Sequence, residues 1–242
     1  MTESEIPNNP AARLHSILLK GKAKGPSAAF RVVCAEIFQL DSQDIASVLR
    51  VVSDMVFLVR DAKKAVVALE DIDNSLFVAP FDKIERALNQ VNVQGNWGAF
   101  YDQLDEGTMT GLAFCADTLR VRCPEPVPQQ VALDELLALV DETIAAVIKS
   151  TAPQQLKSVI LEHLEAIKRA IKRFDIWGTK GLTNALESSV GAVLVERDVF
   201  SSERNHSTVK NFFEVLGRVN LVVTLTEKAD VLISTTIKAL LT

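Results

Sequence analysis

The chain has 242 residues, a formal net charge of -5 and a hydrophobic fraction of 48%. These values are ordinary for a globular protein, and they exclude a largely disordered chain and a strongly basic nucleic-acid coat protein. The sequence shows no secretory signal and no uncharged run near the roughly 20 residues of a membrane helix. The three cysteines share no metal-ligand spacing, so we expect a cytoplasmic protein.

Helix start and stop signals recur through the first half of the chain. Asn9-Pro10 predicts an N-cap followed by proline in the first turn, and Gly21 would close that helix. Gly25-Pro26 predicts the start of the next one. The longest periodic segment, 42–70, repeats apolar residues at steps of three and four. Shorter helices are predicted at about 80–90, 97–104 and 108–120.

Three prolines lie within five residues in the segment Cys123-Pro124-Glu125-Pro126-Val127-Pro128. Proline interrupts a helix and stiffens the connection that contains it. We therefore predict an N-terminal helical half over 1–123, a proline-rich connection over 124–128 and a C-terminal helical half over 129–242. A single domain formed by both halves remains an alternative.

The second half carries helical patterns at 133–149, 151–174, 182–196 and 207–241. Its run Val219–Leu225 is rich in β-branched residues, but the flanks repeat with the helical period, which favours helix over strand. We expect a loop at 200–207. The whole pattern predicts an all-α fold, a multi-helix bundle of about eight to ten helices that is arranged in one domain or two helical halves.

No recognisable catalytic or metal-binding motif occurs along the chain. In Glu162-His163-Leu164-Glu165 the histidine is adjacent to one glutamate and two residues from the other. A helical metal site needs spacings of three or four residues, so we interpret this segment as a solvated helix face. We expect no metal, no cofactor and no catalytic residue. A non-enzymatic protein is therefore favoured, with the enzyme question left open.

Arg204-Asn205-His206 contains the two residue types that HEPN ribonucleases use, four to six residues apart on one helix. Here a single residue separates Arg204 from His206, and Arg197 lies nine positions before the histidine. The spacing does not match that family. A ribonuclease would rest on fold-level likeness alone.

The strongest binding signal lies at the end of the helix predicted over 151–174. Four cations form two pairs, each one helical turn apart, and a Gly-x-x-Gly turn follows them and opens the next helix. The candidate binding residues are Lys168, Arg169, Lys172, Arg173, Gly178, Lys180 and Gly181. Free N–H groups in such a turn can receive a phosphate or carboxylate. A structural alternative is that the cations complement the helix dipole and the glycines end and pack helices.

Over about eight residues this segment resembles the GxxG loop of KH domains, which clamps a nucleic-acid backbone. The resemblance implies contacts between the turn and phosphate groups. KH domains flank this loop with strands, however, and none is predicted here.

The last forty residues are unusually apolar, from Phe212 and Phe213 through Val231 to Leu241. A helix that is apolar on almost every side is buried in its own chain, paired with another subunit or inserted into a membrane. Central burial is the default expectation.

Three functions remain open. The first is a non-enzymatic interaction or regulatory protein that binds a protein partner or a second copy. The second is nucleic-acid or nucleotide-phosphate binding through the basic helix end. The third, less favoured, is a membrane-perturbing protein that uses its apolar C-terminal helices.

Overall fold

The computed structural model describes residues 7–69 and 74–226, and within these residues it contains helices and no strands. Eleven helices are present there, nine of them with at least seven residues. The all-α prediction is therefore confirmed. The chain forms two compact units, the first ending at Glu125 and the second beginning at Pro126. That the two halves are separate domains stays a prediction.

Unit 1 contains six helices within residues 7–69 and 74–125. Their bounds are α1 Pro10–Lys22, α2 Phe30–Phe38, α3 Ile45–Val67, α4 Asn74–Asn89, α5 Gly98–Tyr101 and α6 Glu106–Arg122. The four longest pack as a ring, in the order α1, α3, α4 and α6, with α6 returning to α1. The shorter α2 and α5 lie in connections between ring helices.

Side-chain caps explain where several of these helices begin. Asn9 accepts a hydrogen bond from the N–H of Ala12 at 2.8 Å, as the sequence predicts, and Asp44 and Asp105 cap α3 and α6 in the same way. The Asn9 amide also donates to the Ala116 carbonyl at 3.0 Å, which ties the start of α1 to α6. Pro80 lies inside α4, so the helix predicted to start near residue 80 begins earlier.

The described part of unit 2, residues 126–226, contains five helices. Their bounds are α7 Gln130–Lys149, α8 Gln154–Lys172, α9 Phe174–Val195, α10 Arg197–Ser202 and α11 Ser207–Thr226. The ring order is α7, α8, α9 and α11, with α11 returning to α7. Unit 2 therefore repeats the neighbour order of unit 1, although the sequence shows no internal repeat. The loop expected at 200–207 is wrong in its first part, because α10 extends to Ser202 and buries Phe200.

The apolar C-terminal segment supplies much of the unit 2 core. Phe212, Phe213 and Val219 are buried, and Phe200 packs 6.0 Å from Phe212 between ring centroids. The β-branched run is helical, as predicted. The apolar residues from Val231 to Leu241 lie outside the described residues. Within the described part of the chain, no helix combines the length and apolarity that a membrane span requires.

The buried stripe of α8 generates a stability prediction. Ile167 is 0% exposed, so Ile167→Ala should lower the free energy of unfolding by about 2–5 kcal/mol through lost burial and a residual cavity. Urea unfolding followed by circular dichroism measures this change. Glu165→Ala, at an exposed position of the same helix, is the control and should change stability by about 0.5 kcal/mol or less. A loss below about 1 kcal/mol at Ile167 would contradict a buried stripe.

Candidate functional site

The basic helix end that the sequence singles out is partly neutralised. The Lys168 ammonium lies 2.6 Å from Oδ1 of Asp141, which α7 contributes. The hydrogen bond to Asp141 raises the pKa of Lys168 and so holds the lysine in its charged form. This lysine joins two neighbouring helices of the ring, and its charge is already matched by a carboxylate.

Arg173 does not continue the pattern of pairs one helical turn apart, and it is only 8% exposed. α8 ends at Lys172, and the backbone of Arg173 leaves the helical conformation at φ -108° and ψ 21°. Its carbonyl then accepts the N–H groups of Ile176 and Trp177, both at 2.9 Å. Helical periodicity therefore does not extend to Arg173, which belongs to the junction between α8 and α9.

Two cations of the predicted set remain open to solvent without an ion pair among the described residues. Arg169 and Lys172 are exposed in the last two turns of α8. Lys180 is also exposed, on α9. The predicted residues thus lie at the end of α8 and near the start of α9. Because Lys168 is paired with Asp141 and Arg173 is buried, fewer exposed cations remain there than the sequence indicates.

Both glycines of the turn have structural roles. Gly178 has φ 56° and ψ -156°, a conformation essentially restricted to glycine, and it kinks α9 near its start. A Cβ atom on Gly181 would lie 2.6 Å from Cβ of Trp177. Gly178 and Thr179 are buried, and the Thr179 hydroxyl donates to the Pro126 carbonyl at 3.1 Å. The turn therefore presents little backbone to an anion.

The two histidines of the segments considered above, His206 and His163, have different surroundings. Nδ1 of His206 accepts the N–H of Thr208 at 3.1 Å, which caps the start of α11. Arg204 is exposed in the preceding turn. His163 is partly buried on α8, and burial lowers its pKa. Across residues 7–69 and 74–226, no group of three or more histidine, cysteine, aspartate or glutamate residues could hold a metal ion.

A cleft in unit 1 was not predicted from the sequence. Its volume is about 400 Å³, and we call it the amide cleft because four primary amides line it, together with two aromatic residues and small or aliphatic ones. The amides are those of Gln90, Asn92, Asn96 and Gln103. A compositional signal was available, since five of the eight residues 89–96 are asparagine or glutamine.

Backbone hydrogen bonds fix the loop that borders the amide cleft. The N–H of Phe30 donates to the Gly95 carbonyl at 3.0 Å, and the N–H of Trp97 donates to the Ala28 carbonyl at 2.7 Å. Below the loop, the rings of Trp97 and Phe100 pack 4.8 Å apart between centroids, and Phe30 packs 5.3 Å from Trp97. The loop is therefore held on an aromatic cluster.

The outer face of α6 exposes two large apolar side chains. Phe114 is 64% exposed and Val121 is 69% exposed. Seven residues span about two helical turns, so both side chains project from the same face. Exposed apolar residues that share a face are typical of interaction surfaces, whereas isolated ones need no explanation.

The sequence matches no protein-family model, and neither the curated proteins nor the solved structures contain a match to it. Functional conclusions therefore depend on the geometry of the described residues.

The lowered pKa of His163 predicts a pH dependence of stability. Because the folded pKa lies below the unfolded value, the unfolded chain takes up the proton first as the pH falls. The contribution of His163 is fully present above about pH 6.5 and is lost as the pH falls below that value. In His163→Gln, the difference in unfolding free energy between about pH 7.5 and pH 5.5 should be smaller than in the wild type. Urea unfolding at the two pH values measures it, and an unchanged difference would contradict the prediction.

Proposed function

We propose that the protein is a non-enzymatic interaction protein and that a second copy of the chain binds the outer face of α6. The observation that supports this proposal most directly is the exposure of Phe114 and Val121 on one helix face. Covering them removes apolar surface from water, which is the dominant favourable contribution to protein association.

The pattern of this face favours a second copy as the occupant. When two copies of α6 pair antiparallel about a twofold axis, Phe114 of each copy lies opposite Val121 of the other, so the face is complementary to itself. Asp117 and Arg120 lie on α6 between Phe114 and Val121 in the sequence. Within one chain they form an exposed ion pair at 2.6 Å. In the antiparallel pair, Asp117 of one copy approaches Arg120 of the other. Such exposed charge pairs determine the relative orientation of the two copies more than the affinity of the dimer.

The size of the face predicts weak association. A stable interface commonly buries about 800 Å² on each partner, whereas one outer helix face with two large apolar side chains offers less. We therefore expect a dimer that forms reversibly as the concentration rises. Regulation by protein concentration would follow directly from such an equilibrium.

A direct test is sedimentation velocity of the full chain from low micromolar to high micromolar concentration. The wild type should shift toward a dimer, and Phe114→Ser should remain monomeric because the apolar contact is lost. Leu49→Ser removes a large exposed apolar residue from α3 instead and should dimerise like the wild type. Both positions are exposed, so circular dichroism should show unchanged folding.

A charge exchange tests the antiparallel arrangement. Asp117→Arg should weaken the dimer because it places like charges near each other, and adding Arg120→Asp should restore it. A wild type that stays monomeric throughout, or a Phe114→Ser variant that dimerises normally, would refute self-association through α6.

Polyanion binding through the end of α8 is a second candidate, supported by the exposure of Arg169 and Lys172 without ion pairs among the described residues. Two phosphate contacts predict a slope of about -2 in a plot of log affinity against log salt concentration. Four engaged cations would give a slope of about twice that value.

Fluorescence anisotropy with a labelled DNA duplex at low salt measures this slope. Arg169→Glu combined with Lys172→Glu should abolish binding, and Lys210→Glu, at an exposed position of α11, should weaken it little. Absence of salt-sensitive binding by the wild type would eliminate this candidate.

A further inference from the structure

The amide cleft of unit 1 brings together polar groups that the fold does not use. Gln90 and Asn96 lie in the loop between α4 and α5, and Gln103 follows α5, so two separate segments converge on one space. Among the described residues, none of these three side chains forms a hydrogen bond. Their amide groups are therefore available to a ligand.

The fourth amide helps to shape the loop. Oδ1 of Asn92 accepts the N–H of Gln94 at 3.0 Å, and the Asn92 carbonyl accepts the N–H of Gly95 at 2.9 Å. The bond from Phe30 to Gly95 then holds the same loop against the start of α2. A loop ordered in this way before binding reduces the entropy that a ligand must overcome.

The composition of the lining restricts the ligand. No charged residue lines the cleft, so a phosphate or carboxylate group would lose its hydration without gaining a cationic partner. A volume of about 400 Å³ lies within the usual range for small-molecule sites. The site therefore suits an uncharged small molecule.

The arrangement of hydrogen-bond donors and acceptors in the cleft restricts the ligand further. A primary amide presents a carbonyl acceptor and an NH₂ donor side by side in one plane. Nucleobases present the complementary pair along their edges, which is why asparagine and glutamine bind adenine through two hydrogen bonds. The buried rings of Phe30 and Phe100 make the base of the cleft apolar, which favours a flat heterocycle over a sugar with hydroxyl groups on every side.

We propose that the amide cleft binds an uncharged nucleobase or nucleoside, with Gln90, Asn96 and Gln103 as its hydrogen-bonding residues. The residues of this site and the exposed residues of the α6 face do not overlap. The outcome of the nucleoside-binding experiment is thus independent of whether the protein self-associates.

Isothermal titration calorimetry of the full chain with adenosine, guanosine, cytidine and uridine tests the proposal. At least one nucleoside should bind saturably. The corresponding nucleoside monophosphate should bind no more tightly, because the cleft offers no cation. Maltose, which is neutral but carries only oxygen groups, should bind at least tenfold more weakly.

Variants inside and outside the cleft lining provide the matched comparison. Asn96→Ala and Gln103→Ala should each weaken binding about tenfold, in line with the loss of one amide contact to a base. Gln103→Glu keeps the size of the side chain while replacing its donor, and it should weaken binding similarly. Gln94→Ala removes an exposed amide from the same loop but outside the cleft lining, and binding should be unchanged.

Thermal unfolding by circular dichroism must show that each variant is folded. The proposal is overturned if no nucleoside binds at about 10 mM, if maltose binds as tightly as the nucleosides, or if Gln94→Ala weakens binding as much as Asn96→Ala.

Discussion

Ring closure by four helices is the constraint on which the rest of this protein depends. In each unit every long helix packs against two neighbours, so its apolar residues must cover a wide stripe instead of a narrow seam. The stripe of α8, which includes Leu156, Leu164 and Ile167, meets this requirement with fully buried side chains. The polar contacts between helices, such as Lys168 with Asp141, lie at the edges of these stripes.

The ring also determines where binding surfaces can form. Inward faces pack against one another, which leaves outer helix faces and the segments inserted between ring helices as the main exposed surfaces. The amide cleft is built from such insertions, namely the loop after α4 and the short α5, fixed by hydrogen bonds to the segment before α2. The α6 face is an outer surface of the ring itself. The two proposed sites therefore arise from different parts of one architecture.

The sequence predicted the all-α class, the cap at Asn9 and the helix that forms most of 151–174 because these depend on residues a few positions apart. It misplaced the start of α4, since packing tolerates Pro80 where local rules favour a helix boundary. It could not predict the pairing of Lys168 with Asp141 or the burial of Arg173, because both depend on how α7, α8 and α9 pack. The five amide side chains in residues 89–96 were visible in the sequence, but the convergence of three of them with Gln103 requires the folded chain.

The kink at Gly178 has a consequence for how this sequence can vary. A side chain at that backbone conformation costs about 1–3 kcal/mol, a substantial part of the stability of a small domain. Lys180, two positions later, is exposed and carries no such restriction. Substitution at position 180 therefore brings no backbone strain, whereas substitution at position 178 does, and invariance of Gly178 would record backbone geometry instead of ligand binding.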